Sequence, residues 1–297
     1  MKSETTRRPD TSIRATSGRR RRVMVGRTLL FLLLSVLAVP FVYPTIWMIF
    51  AAFKPNSEMF ATPPTLLPRE WTLEGVERIF TMTPFAVQYY NSLYMAVLIT
   101  AATVILAAMA GYAFARIRFR GSNLLFLVLI SGLMIPAEVT IIPIFQWVSE
   151  LGLMDNHIPI IVLYTFGPGS VVSVFIFRQY FLSLPVELED AGRIDGLGRW
   201  GLFWRIALPL SGPAIATVSI LKFLTAFNMY FEPMILLRSP EVLPVSVGIT
   251  RFSLGLGEPL YNTQLGAVTL TIIPVLIVFL FAQRQFVEAL ARSGVKG

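Results

Sequence analysis

Cysteine is absent from this 297-residue chain, and histidine occurs once, at His157. Disulfide staples, thiol nucleophiles and cysteine-ligated metal sites are thereby excluded. No grouping of His, Asp and Ser stands at a spacing that would serve catalysis, so neither catalytic nor metal-ligating residues are expected. Lysine is nearly as scarce: Lys2, Lys54, Lys222 and Lys296 are the complete set. The phosphate-cradling pattern G-x-x-x-x-G-K-[ST] needs a lysine followed by serine or threonine. Only Lys2 has such a neighbour, with no glycine loop before it, so the chain cannot hydrolyse ATP by that route.

Charge is low as well. Charged residues make up 14% of the chain and apolar residues 55%, with a mean hydropathy of +0.68, whereas soluble globular chains carry roughly 25% and 45–50%. Such a composition belongs to a protein whose solvent is lipid. The fold class expected is an all-α membrane protein.

A spanning helix needs about 20 largely apolar residues. Charge-free stretches supply six: Thr28–Phe53, Tyr89–Ala115, Gly121–Ala137 with a further neutral segment to Ser149, Ile158–Phe177, Ile206 or Ser211 to Leu237, and Leu260–Gln283. Pro136 and Pro143 bend or break the third, and Gly167-Pro168-Gly169 interrupts the fourth. The first is 26 residues long, runs past a signal-peptide core and lacks an A-x-A-like end. It therefore reads as a retained helix.

Lysine and arginine bias in short loops sets orientation. With the N-terminus inside, 19 of the 25 basic residues fall on the cytoplasmic side and five outside, while Lys222 lies in the membrane. Both termini are thus expected to be cytoplasmic. Residues 1–26 form an arginine-rich tail, expected to be disordered, ahead of a transmembrane domain at 27–297. The run Arg19-Arg20-Arg21-Arg22 just before an apolar span reads as a topology anchor that attracts anionic lipid, not as a nucleic-acid patch.

The loop at 183–209 is the most distinctive feature. Ser183 can cap a short helix, Pro185 suits a first helical turn, and Glu187, Glu189 and Asp190 favour the positive end of the helix dipole. Leu188, Ala191 and Ile194 recur at three-residue spacing as an apolar stripe, and Asp195-Gly196 stops the helix. A second helix carries Trp200, Phe203, Trp204 and Ile206 towards Pro209. The two tryptophans suit a helix lying on lipid, but the first helix carries acids where a lipid-facing one would carry lysine and arginine. A protein socket is the better match.

At Asp190-Ala191-Gly192, Gly196 and Ile206-Ala207-Leu208-Pro209, the chain resembles the permease subunits of ATP-binding-cassette importers. Their cytoplasmic signature is E-A-A, three residues, G, nine residues, then I-x-L-P, and the spacing here is the same. Asp190 replaces the glutamate on a shorter arm, and Gly192 replaces the second alanine, weakening the helix by up to about 1 kcal/mol. Phe53-Lys54-Pro55-Asn56-Ser57-Glu58, Asn91-Ser92, Ile135-Pro136-Ala137-Glu138, Arg193-Ile194-Asp195-Gly196, Gln285-Phe286-Val287-Glu288 and Gly294-Val295-Lys296-Gly297 extend the likeness to the maltose-type carbohydrate importers. It covers nearly the whole chain from about residue 27.

The resemblance implies a type I importer permease of a bacterial or archaeal cell membrane, taking a sugar, with oligosaccharide the leading class and a phosphorylated polyol or amino sugar the alternative. Its implied partners are a second permease, two cytoplasmic ATPases that bind ATP and magnesium, and an external solute-binding protein. This chain would bind no cofactor. The helix from Pro185 to Asp195 would sit in an ATPase groove and move as a lever through Pro209 and Pro213. A bulky residue at Gly196 is then expected to abolish transport and loosen ATPase assembly. The region from Arg238 to Thr263 resembles the part that meets the binding protein.

Ionisable residues at membrane depth are functional candidates. Lys222 and Glu232 are ten residues apart, on different faces of one helix and about 15 Å apart along it, so they are not expected to pair. Asn228 and Glu232 share a face at i, i+4 and offer a sugar hydroxyl a donor and an acceptor. Lys222 alternatively snorkels or bonds a neighbouring helix, and Glu232 alternatively sits at the outer interface. The break at Gly167 and Gly169 presents backbone carbonyls to a cavity or is a packing kink. His157 is expected to be exposed and inert. An ion-coupled secondary transporter would use Lys222 and Glu232 as coupling sites, but it calls for internal repeats. The two halves of the chain show no clear self-similarity.

Overall fold

A computed structural model of the protein describes residues 14–254 and 259–293. The Gly294–Gly297 ending and the basic residues before position 14 lie outside them. Among the described residues the regular elements are helices: α1 (Arg14–Ala51), α2 (Glu74–Met82), α3 (Phe85–Arg116), α4 (Ser122–Ser131), α5 (Ala137–Glu150), α6 (His157–Phe166), α7 (Val171–Ser183), α8 (Glu187–Ile194), α9 (Arg199–Leu202), α10 (Leu208–Leu210), α11 (Gly212–Phe227), α12 (Phe231–Leu236), α13 (Val245–Leu254) and α14 (Tyr261–Ser293). The first helix starts at Arg14, so helical backbone reaches back into the segment expected to be a disordered tail.

Four stretches are long and apolar enough to cross a membrane unbroken: Met24–Ala51, Phe85–Arg116, Gly212–Leu236 and Tyr261–Phe281. Two bent pairs bring the number to six if each counts as one span. The bend between α4 and α5 is 97° and follows from Pro136, which has no N–H and holds Ile135 in extended backbone at φ −87°, ψ 113°. Pro143, by contrast, sits inside α5 without breaking it. The 47° bend between α6 and α7 falls at Gly167-Pro168, where Gly167 is extended at φ −71°, ψ 176°.

The spine of the bundle is α3, which packs most extensively against α7 and α11. One half of it, with Met95 and Ile99, lies in a core shared with Phe223, Phe227, Leu243 and Phe252. The other half, through Ala107, Ala108 and Tyr112, lies in a second core with Phe177, Phe181, Phe203 and Val218. The hairpin of α8 and α9 caps this second end, and the 238–245 segment closes the first. Most of α1 is exposed apolar surface, as suits a helix facing lipid or another subunit.

Candidate functional site

The hairpin begins differently from its sequence reading. Ser183 ends α7 and its hydroxyl donates back to the Tyr180 carbonyl at 2.7 Å, so it does not cap α8, which starts at Glu187 without a side-chain cap. The end of α8 follows expectation. Gly196 is left-handed at φ +83°, and its turn places the Leu197 N–H on the Gly192 carbonyl at 2.9 Å and the Asp195 N–H on the Ala191 carbonyl at 3.0 Å. The second arm runs from Arg199 to Leu210 through a π-helical turn at Phe203–Ala207, which ends two positions before Pro209. Pro209 is exposed, while Ile206 reaches back to α8.

Two residues of α8 are buried, Glu189 and Gly192. Glu189 pairs with Arg116 Nε at 3.1 Å and Arg193 Nη2 at 3.6 Å, and accepts a long bond of 3.4 Å from the Tyr112 hydroxyl. Arg116 also donates to the Leu184 carbonyl at 2.6 Å. The end of α3 is thereby latched to the hairpin. Asp190 stays exposed and pairs within its own helix, to Arg193 Nη1 at 2.8 Å. Glu187 and Asp195 are exposed too. So is the apolar stripe: Leu188 is 42% and Ile194 87% accessible, with Ala191 between them.

A second feature lies where the two bent pairs meet. A cavity of about 240 Å³ is lined by residues that include Ile135, Tyr164, Gly167, Gly169, Lys222 and Glu232. Lys222 is buried and donates to Ser170 Oγ at 2.9 Å, and that hydroxyl donates to the Tyr164 carbonyl at 2.9 Å. The Tyr164 hydroxyl donates to Glu232 Oε2 at 2.8 Å, and Lys222 Nζ lies 5.9 Å from the centre of the same ring. Tyr164 thus stands between a cation and an acid that form no direct ion pair, as expected. A ligand in this space meets a donor, an acceptor and an aromatic ring, a suitable set for hydroxyl groups on a carbohydrate ring.

That arrangement corrects one sequence expectation. The helix stops at Phe227 and restarts at Phe231, so Asn228 and Glu232 do not share a face. Asn228 is exposed, donates to its own Leu224 carbonyl at 2.9 Å, and does not line the cavity. Tyr164 and Ser170 were missed because neither is ionised. Their signal was proximity in sequence to the Gly-Pro-Gly break.

At the other end of α3, buried polar side chains hold the 238–245 segment by its backbone. Gln88 donates to the Pro240 carbonyl at 2.9 Å, Asn91 to the Glu241 and Leu243 carbonyls at 2.7 and 3.1 Å, and the Val245 N–H donates to Ser92 at 2.9 Å. His157 is not inert. Its Nε2 is 2.6 Å from the Val242 carbonyl, which can only accept, and its Nδ1 meets the Tyr94 hydroxyl. Asp155 accepts from the Ser239 hydroxyl and from the Arg238 and Ser239 amides. These bonds, the Ser239 hydroxyl first, hold its carboxyl below the usual carboxylate range.

Residues 103–292 match the family model described as "Binding-protein-dependent transport system inner membrane component". The arabinooligosaccharides transport system permease protein AraQ of Halalkalibacterium halodurans is 36% identical over 259 residues, covering 86% of this chain and 91% of that one. The sn-glycerol-3-phosphate transport system permease protein UgpE of Yersinia pestis is 31% identical, covering 89% and 95%. Among solved structures, a chain of a bacterial ABC transporter involved in the import of the acidic polysaccharide alginate superposes with a TM-score of 0.75 at 24% identity, over 89% of this chain and 97% of that one.

Proposed function

Because the chain belongs to the inner membrane components of binding-protein-dependent transport systems, we propose that it is a permease subunit of an ATP-driven sugar importer, forming half of the translocation pathway. In this reading the chain crosses the membrane six times, and the lysine and arginine bias of its loops supports a cytoplasmic side for both termini and the α8–α9 hairpin in a bacterial cell. A second permease completes the pathway, two ATPase subunits bind ATP and magnesium, and an external binding protein delivers the solute. Of the relatives' named substrates, the arabinooligosaccharides of AraQ, at 36% identity, favour an oligosaccharide over the glycerol 3-phosphate of UgpE, at 31%.

One observation carries the reading. A short surface helix that buries Glu189 and Gly192 while turning Leu188 and Ile194 outward is built to have a protein laid against it. An ion-coupled transporter has no use for that face. The route inward is physical and continuous: the second arm runs through Pro209 and Ser211 into α11, and α11 carries Lys222 to the cavity. On the other arm, the Glu189–Arg116 latch ties the hairpin to α3. A rotation imposed on α8 by closing ATPases would therefore reach the space between Lys222, Tyr164 and Glu232, where the sugar passes.

Ile194→Glu tests this directly, because a residue 87% accessible can be charged without disturbing the fold. The variant is expected to insert into the membrane and keep its thermal stability, yet to lose co-purifying ATPase subunits and transport. Full ATPase recovery with undiminished transport would remove the basis of the proposal.

A further inference from the structure

Two recesses open side by side at the hairpin end. The first, about 590 Å³, is polar and lies between the end of α3, the turn that follows it and the hairpin. Four arginines line it, Arg116, Arg118, Arg193 and Arg199, against one acid, Glu189. The second, about 570 Å³, is apolar, with Leu106, Met109, Ala110, Trp200 and Phe203 among its walls. Tyr112, Ile117 and Arg199 line both, so the polar chamber and the apolar groove adjoin.

Charge in the chamber does not balance. Glu189 is engaged by Arg116 and Arg193, and Arg193 also holds Asp190. Arg118 and Arg199 have no acidic partner among the described residues. Depth adds a second constraint. Leu106, Met109, Ala110 and Ala113 belong to the last turns of a membrane-crossing helix, so the groove extends about 15 Å into the apolar layer from Arg116. Trp200 lines the groove and is 65% accessible, as suits an indole at the boundary between lipid and water.

A ligand that satisfies both halves carries an anionic head and a hydrocarbon tail. We propose that this recess binds an anionic phospholipid, its phosphodiester between Arg118 and Arg199 and an acyl chain along Met109 and Ala110 beside Trp200. A soluble phosphate would leave the groove unused. The apolar stripe of Leu188 and Ile194, assigned above to the ATPase, does not line either recess. The lipid bridges the end of α3 to the second arm of the hairpin, next to the Arg116–Glu189 latch.

The test uses the complete transporter in phosphatidylcholine nanodiscs doped with tail-brominated phosphatidylglycerol or, at equal bromine content, tail-brominated phosphatidylcholine. The Trp200 signal is the difference between the wild type and Trp200→Phe. Brominated phosphatidylglycerol is expected to quench Trp200 at much the lower mole fraction. Arg118→Gln with Arg199→Gln should reduce that preference by about 10- to 30-fold, from roughly one surface-charge contribution per arginine. Arg118→Lys with Arg199→Lys, which keeps both charges and guards against a folding artefact, should retain most of it. Equal quenching by the two lipids would mean ordinary annular contact and overturn the proposal. So would displacement by excess inorganic phosphate, or a Trp200 that neither lipid quenches because a protein subunit fills the groove.

Discussion

At Gly192 a Cβ atom would lie 2.5 Å from Ile206 Cδ1 and 2.8 Å from Leu202 Cδ2. Both are ends of flexible side chains, and they occupy the space a methyl group would take. Gly192→Ala gains up to about 1 kcal/mol in helix propensity but overpacks the hairpin at a cost of about 1–3 kcal/mol. A net loss of thermal stability is expected, and Ile206→Val, which deletes the obstructing methyl, should recover it in the double variant. Additive losses would show that the two residues are not in contact. The departure from alanine was legible in the sequence, but its compensation by Ile206 was not. Residues 192 and 206 meet only once the turn at Gly196 has folded the arms together.

At the scale of elements, the most extensive helix contact among the described residues, between α3 and α7, depends on a missing side chain in the same way, though against backbone. A Cβ at Gly111 of α3 would lie 2.7 Å from Phe177 Cβ, 2.9 Å from the Arg178 amide nitrogen and 3.1 Å from the Phe177 carbonyl carbon of α7. Backbone cannot swing aside, so Gly111→Ala must push the two helices apart. It is expected to lower the thermal inactivation midpoint clearly, whereas Gly132→Ala, with nothing within 4 Å of its Cβ, should leave it nearly unchanged. Equal effects would contradict the packing. The breaks at Pro136 and Gly167-Pro168 could be read from residue type alone. The break between α11 and α12 was harder to see, although Pro233 holds its signal: it lacks the N–H that would bond the Met229 carbonyl. Ser246 of α13 donates to that carbonyl instead, and only the tertiary structure brings it there.

For the molecule as a whole, the absence of cysteine makes every introduced thiol a unique reporter. The proposed topology of six spans with a cytoplasmic N-terminus predicts that single cysteines at Gly196 and Arg120 are shielded from a membrane-impermeant maleimide in intact cells and labelled once the membrane is opened. Cysteines at Ser57 and Ser239 should be labelled in both conditions. Labelling of Gly196→Cys from outside would overturn the orientation. The exposed apolar surface of α1 is left uncovered by the chain's own packing, as suits a face turned to lipid or to the proposed second permease.

By itself the sequence determined that lipid is the solvent, where the apolar helices run, where proline and glycine interrupt them, and that a short acidic helix and its turn lie at 183–209. All of these depend on residue type within a few turns of helix, where periodicity, caps and missing N–H groups act locally. Tertiary structure alone decided that Glu189 and not Asp190 is the buried acid, 77 residues from the Tyr112 hydroxyl it faces. It also decided that Lys222 and Glu232 share one cavity across Tyr164, and that His157 holds the 238–245 segment. Those outcomes depend on how α3, α7 and α11 pack. The burial of a charge is set by the partners that packing delivers, which spacing along a single helix does not encode.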